Sequence, residues 1–207
     1  MKPATLIGLV VLIVVALIVV NTSVYVVFET EQVVLTQFGK PVGDPVVDPG
    51  LKFKIPFIQK VNRFDKRFLE WDGYPNQLPT KDKRFISIDT YARWQITDPL
   101  LFFQRLRDEP RAQSRLDDIL DGETRNTIAK HHLIEVVRTS NREFTLTEEL
   151  GGDQDLQKVG KIEFGRDALA EEVLQAAKGR VGDLGIEILD FRFKRLNYVP
   201  EVQREVY

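Results

Sequence analysis

Residues 4–20 read ATLIGLVVLIVVALIVV, seventeen positions without a charge and with Thr5 as the only polar side chain. A helix this apolar on every side has no wet face, which suits a bilayer. With a rise of about 1.5 Å per residue it sits at the short end of a membrane-spanning helix. Ala4, Leu6, Ile7, Leu9, Val10, Leu12, Ile13, Leu17, Ile18 and Val20 are its candidate lipid-facing residues. A second apolar run, residues 24–28, extends the anchor to 28. The polar break Asn21-Thr22-Ser23 then marks the interface and places Tyr25 at headgroup level. A cleaved signal peptide is the competing reading, because Lys2 supplies a basic start. The run is longer than a usual signal core, and its nearest approach to a small-x-small cleavage site is the weak Asn21-x-Ser23. A retained anchor over residues 1–28 is therefore favoured.

The flanks set an orientation. Lys2 and the free amine precede the span, whereas residues 21–40 carry only Lys40 against Glu29 and Glu31. The positive-inside tendency leaves the N-terminus in the cytoplasm and sends the rest across the membrane, into the periplasm of a bacterial cell. Composition allows that body to fold: hydrophobic residues make up 43% of the chain and aromatics 10%. The absence of cysteine excludes a disulfide framework, a thiolate metal site and a cysteine nucleophile. The net charge of −2 divides into +2 before residue 100 (12 basic, 10 acidic) and −4 after it (17 basic, 21 acidic). Neither half has the basic surplus that a nucleic-acid binder uses to displace counterions.

Past the anchor the pattern has period two. Leu51, Phe53, Ile55 and Phe57 alternate with Lys52, Lys54 and Pro56, as in a strand with the apolar residues buried and the lysines wet; Pro56 puts it at an edge or ends it. Ile86, Ile88, Thr90, Ala92, Trp94 and Ile96 share one face of a longer strand. Residues 32–38 and 62–71 are further strands, separated by Gly- and Pro-containing turns. Residues 29–97 thus form a first, mostly antiparallel β-rich subdomain. Asp98-Pro99 then opens a helix. Further helices are expected over 111–137, with Gly122 a weak point, and over 166–178, capped by Gly179 or Gly182. Residues 145–161 read as an exposed insertion, and 186–196 as a closing strand whose apolar face changes register, as at a β-bulge. Residues 98–207 form a second subdomain, and the fold class is α+β.

Chemistry-bearing motifs are scarce. His131 and His132 stand side by side in an expected helix, about 100° apart, so they suit its surface better than one ligand. The chain has no Gly-x-Ser-x-Gly elbow, Walker A loop or His-Glu-x-x-His. Asp117-Asp118 and Glu148-Glu149 sit in polar contexts and read as solvated charge. No catalytic, metal or cofactor site is assigned. One charge concentration stands out: Lys52, Lys54, Lys60, Arg63, Lys66 and Arg67 against Asp65 alone over residues 51–67. It suits contact with anionic headgroups and, equally, the solvated face of a strand.

Three segments assemble into a resemblance. The run PGLKFKIPFIQKV (residues 49–61), preceded by Gln37-Phe38-Gly39-Lys40 and followed by Asp65-Lys66-Arg67, resembles the stomatin, prohibitin, flotillin and HflK/HflC superfamily, also called SPFH or band 7. There a proline-glycine turn introduces an amphipathic strand ending in Ile-Pro. YARWQITDP (91–99) is similar to the superfamily's second signature, and GIEILDFRFKRLN (185–197) to its closing strand. With the anchor and the insertion, the likeness covers essentially the whole chain and is nearest to the HflK/HflC branch. It implies a non-enzymatic role without a cofactor. Such proteins associate with a paralogue, here an HflK-like one, into a large hetero-oligomeric ring or cage on the bacterial inner membrane, around an FtsH-like membrane AAA+ protease whose substrate access they limit. A stomatin-like module that organises lipid without a protease partner is the alternative. Members of the branch continue into a long Ala-, Glu- and Arg-rich wall helix, whereas this sequence stops at Tyr207 just as a helix is expected to begin. Either it is a piece of a longer chain or it is naturally short; in both cases it holds the anchor and the lateral contacts without the wall.

Overall fold

The computed structural model describes the backbone of residues 3–140 and 162–198 and the side chains of residues 7–140 and 162–197. The expected insertion at 145–161, the pair Glu148-Glu149 and the incipient helix at 200–207 lie outside the described residues. The elements run α1 (Pro3–Ser23), β1 (Val24–Val27), β2 (Glu31–Gln37), β3 (Lys40–Pro41), β4 (Gly50–Phe53), β5 (Gln59–Asp65), β6 (Leu69–Asp72), β7 (Asn76–Pro79), β8 (Phe85–Ile96), α2 (Pro99–Arg105), α3 (Glu109–Lys130), α4 (Leu133–Val137), α5 (Arg166–Val181) and β9 (Ile186–Tyr198). The order is that of an α+β protein. Two units interleave along the chain. The first unit takes Met1–Leu69, Gln95–Asp108 and Asp183–Ile186; the second takes Glu70–Trp94, Glu109–Gly182 and Glu187–Tyr207.

In the first unit, α1 ends at Ser23, where the next residues pair with β4, and the last helical hydroxyls bond back to the preceding turn. Thr22 Oγ1 donates to the Ile18 carbonyl at 2.8 Å and Ser23 Oγ to that of Val19 at 2.6 Å. The expected helical extension over 24–28 is instead strand β1, antiparallel to β4 with Val24 opposite Phe53 and Val27 opposite Gly50. Three valines and a tyrosine in four positions favour the pleated conformation. Tyr25 does not reach outward as an interfacial aromatic would: it is buried with Val27 and Val33, and burial raises its hydroxyl pKa against the opposing pull of Arg63. A three-stranded sheet, β3-β2-β5, completes the β part of this unit. The Asp98 carboxylate accepts the N–H groups of Leu100 and Leu101 at 3.0 and 2.9 Å, so α2 starts where the Asp-Pro pair predicts. Gly185, at φ +73°, receives the N–H groups of Thr97 and Asp98 on its carbonyl. An added Cβ there would stand 2.5 Å from the Asp98 carbonyl oxygen.

In the second unit, β8 is flanked by β6 and β7 and also pairs β9. The single strand expected over 62–71 is two, β5 of the first unit and β6, broken where the Asp65 carboxylate folds onto the Arg67 backbone N–H at 2.8 Å. Leu78, Ile86, Ile88, Ile128, Leu133, Val136 and Leu169 close a core between sheet and helices. The continuous helix expected over 111–137 is interrupted at residues 131–132. Asp82 explains the break: its Oδ1 accepts the N–H of Leu133 at 3.1 Å and so caps a new helix, while the His131 carbonyl accepts the N–H of Lys81 at 2.9 Å. Gly122 is accommodated inside α3, and α5 runs past Gly179 to Val181. The left-handed residue after it is Gly185, because Gly182 at φ −55° merely passes α5 into a 3₁₀ turn. Along β9 the buried positions change parity between Ile188 and Phe191, which is the register switch read from the sequence.

Candidate functional site: an outward apolar face

Every described side chain of α1 from Ile7 to Val20 is exposed, including Ile7, Leu9, Val10, Leu12, Ile13, Leu17, Ile18 and Val20. The side chains of Ala4 and Leu6 lie outside the described ones. Among the described residues, no helix is long and apolar enough to cross a membrane. The described side chains of α1 begin only at residue 7, whereas its backbone is helical over 21 residues from Pro3.

The amphipathic segment after it is inverted relative to expectation. Leu51 is 60% exposed, Phe53 71% and Phe57 81%, with Ile55 likewise exposed, whereas Lys52 and Lys54 are half-buried. The ladder gives the reason. Residues opposite each other in an antiparallel pair project to the same side. The β1–β4 register sets Tyr25, which must be buried, opposite Lys52, and Val26 opposite Leu51. Once Tyr25 and Val27 turn inward, Val26 and Leu51 turn outward. The strand ends at Phe53, short of the expected 57, and the chain turns through residues 56–58. The N–H of Lys54 donates to the Ser23 carbonyl at 2.7 Å, so the outward apolar residues of β4 start at the end of α1.

His131 lies beyond α3 and His132 precedes α4, so neither is inside a helix. His131 Nε2 stands 3.2 Å from Glu172 Oε2, with its ring edge-on to Phe164. Asp117 accepts the Trp71 indole N–H at 2.6 Å while Asp118 is exposed. Burial, aided by the charge of Asp117, raises the pKa of Asp121. Among the described residues no three His, Asp or Glu side chains converge to hold a metal ion. Glu135, only 7% exposed, was not singled out by any motif. Its carboxylate accepts the N–H groups of Glu163, Phe164 and Gly165 at 2.8, 3.0 and 2.8 Å, at the start of α5. Burial alone would raise that carboxyl, yet the three donors outweigh it and hold the pKa below its ordinary value.

The SPFH domain / Band 7 family matches residues 25–206, and the chain belongs to this family. Among curated relatives, Protein HflC of Treponema pallidum is 34% identical over 217 aligned positions, covering 100% of this chain and 65% of its own length. Protein HflC of Borreliella burgdorferi is 35% identical, over 88% of this chain and 58% of its own. Modulator of FtsH protease HflC of Escherichia coli K12 is 29% identical, over 95% and 65% respectively. The chain thus spans about three-fifths of the length of these relatives.

Proposed function

We propose that the chain is a membrane-anchored, non-enzymatic scaffold subunit that modulates an FtsH-type membrane protease by limiting substrate access. In this reading α1 is a single-pass anchor in the bacterial inner membrane, with the N-terminus cytoplasmic and the body periplasmic. The chain assembles laterally with an HflK-like paralogue into a large ring or cage. The observation that carries it is the family match from residue 25 onward directly behind an uncharged run; the printed name of the Escherichia coli relative supplies the protease. A short single anchor forms no transport path, but many anchored copies side by side fence off a patch of bilayer, each lateral contact being modest and the sum large. Affinity purification of the full chain from native membranes should recover the paralogue and the protease together. Recovery of neither sinks the proposal.

The outward turn of Leu51, Phe53, Ile55 and Phe57 favours a second reading, in which the domain itself rests on lipid without a protease partner. It predicts that Leu51→Ser with Phe53→Ser removes vesicle binding by a fragment starting at Val24. Retained binding counts against it.

A further inference from the structure

Four non-glycine residues of the described chain have positive φ: Phe38 (+50°), Phe57 (+64°), Lys83 (+62°) and Arg107 (+72°). Three of them, Phe38, Phe57 and Arg107, line one open depression of about 400 Å³ in the first unit, beside Ile58, Lys60 and Phe103. Each occupies a place where glycine or asparagine is the low-strain choice. Phe38 and Gly39 are the two loop residues between Gln37 and Lys40, which pair as β2 and β3, and both have positive φ. Such hairpin turns favour Asn-Gly, and a bulky first residue is strained. Phe57 sits in the turn between β4 and β5. Arg107 follows the C-cap Leu106 of α2, the position glycine usually takes.

These aromatics do not repay the strain by packing. Phe38 is 84% exposed and Phe57 81%. Arg107 closes the end of α2 through its N–H on the Phe102 carbonyl, but for Phe38 and Phe57 no packing offsets the strain, and such strain beside a depression points to a ligand site. The chemistry of the lining names the ligand: two cations, Lys60 and Arg107, no carboxylate, and a phenylalanine rim. Resting on the membrane reading above, we infer that this depression binds the headgroup phosphate of an anionic phospholipid, with Lys60 and Arg107 on the phosphate and Phe38 and Phe57 against the acyl chains. A soluble phosphate would use the cations but not the phenylalanines, and a zwitterionic lipid offsets its phosphate with its own ammonium.

The test titrates the full chain, in a zwitterionic detergent, with dihexanoyl-phosphatidylglycerol, dihexanoyl-phosphatidylcholine and glycerol 3-phosphate, reading affinity by calorimetry. Phosphatidylglycerol should bind tightest. Lys60→Gln and Arg107→Asn should each weaken it about fivefold, and the pair about thirty-fold. Asparagine keeps the left-handed backbone of residue 107 available, so a loss there reports charge. Phe38→Asn should weaken binding while leaving the melting temperature unchanged or higher, a split that misfolding would not produce. Equal affinity for the two lipids, unaltered binding in the cation variants, glycerol 3-phosphate binding as tightly as the lipid, or displacement of the lipid by a peptide with a free C-terminal carboxylate overturns the inference. Carbonate extraction of the full chain from membranes separates the two readings. Release from the membrane defeats the anchor, whereas a retained chain without lipid preference defeats only this site.

Discussion

Strands β4 and β8 carry the same sequence signal and resolve it in opposite ways. Both alternate apolar and polar residues. In β8, Ile86, Ile88, Ala92, Trp94 and Ile96 are buried and the intervening residues half-buried. In β4 and the turn after it, the apolar residues face out and the lysines are half-covered. The two differ in their neighbours. β8 is paired on both sides within a sheet covered by helices, whereas β4 has β1 as its one described partner, and β1 needs the inner face for Tyr25 and Val27. Period two says that the faces differ; the partner's register decides which of them meets the core.

Substitutions on the two strands put that contrast to the test. Trp94→Ala, removing a fully buried indole from β8, should cost about 3–5 kcal/mol in denaturant unfolding; a smaller loss would mean that β8 is no more committed to a core than β4. Gly185→Ala asks whether the first unit also has a rigid interior. A Cβ 2.5 Å from the Asp98 carbonyl at φ +73° should lower stability by about 3 kcal/mol, and a melting temperature equal to the parent's would say that this unit is loose throughout.

Glu135→Gln should cost about 2 kcal/mol, because charge-assisted acceptance from three N–H groups is weakened. The pH dependence has a fixed sign. A carboxyl whose folded pKa is depressed contributes stability that is fully present above its unfolded value, about 4.3, and is lost as pH falls through the lower folded value. The parent should therefore destabilise more steeply than the Gln variant below about pH 4 in urea titrations at stepped pH. Parallel curves would remove Glu135 from the account. The smallest effect belongs to β4: Phe53→Ser should change unfolding free energy by less than about 0.5 kcal/mol. A loss comparable to that at Trp94 would erase the contrast between the strands.

Local rules made part of this legible. Asp98-Pro99 announced α2 because its cap is a sequence-local device, and the alternation over 86–96 gave β8 its core face. The rest was set at a distance. The break between α3 and α4 depends on Asp82, some fifty residues earlier, and the end of α1 at Ser23 on a β partner at residues 50–53. The polarity of residues 51–57 runs against the usual outcome for a half-wet strand, burial of the apolar side, because β1 claims the inner face for Tyr25 and Val27. Phe38 and Arg107 were invisible as site residues because nothing in a sequence displays φ; a phenylalanine before glycine in a two-residue hairpin loop was the only available sign.

The join between α1 and β1 has a mechanical consequence. Helix ends at Ser23, strand begins at Val24, and the Lys54 N–H clasps the last helical residue. No leash of linker residues intervenes, so the strand inherits the direction of the helix and has little freedom to swivel about it. If α1 stands in a bilayer, identical copies hold their first units at one height and one tilt. Under the proposed lateral assembly, neighbours would then meet with their orientation already restricted, almost in two dimensions.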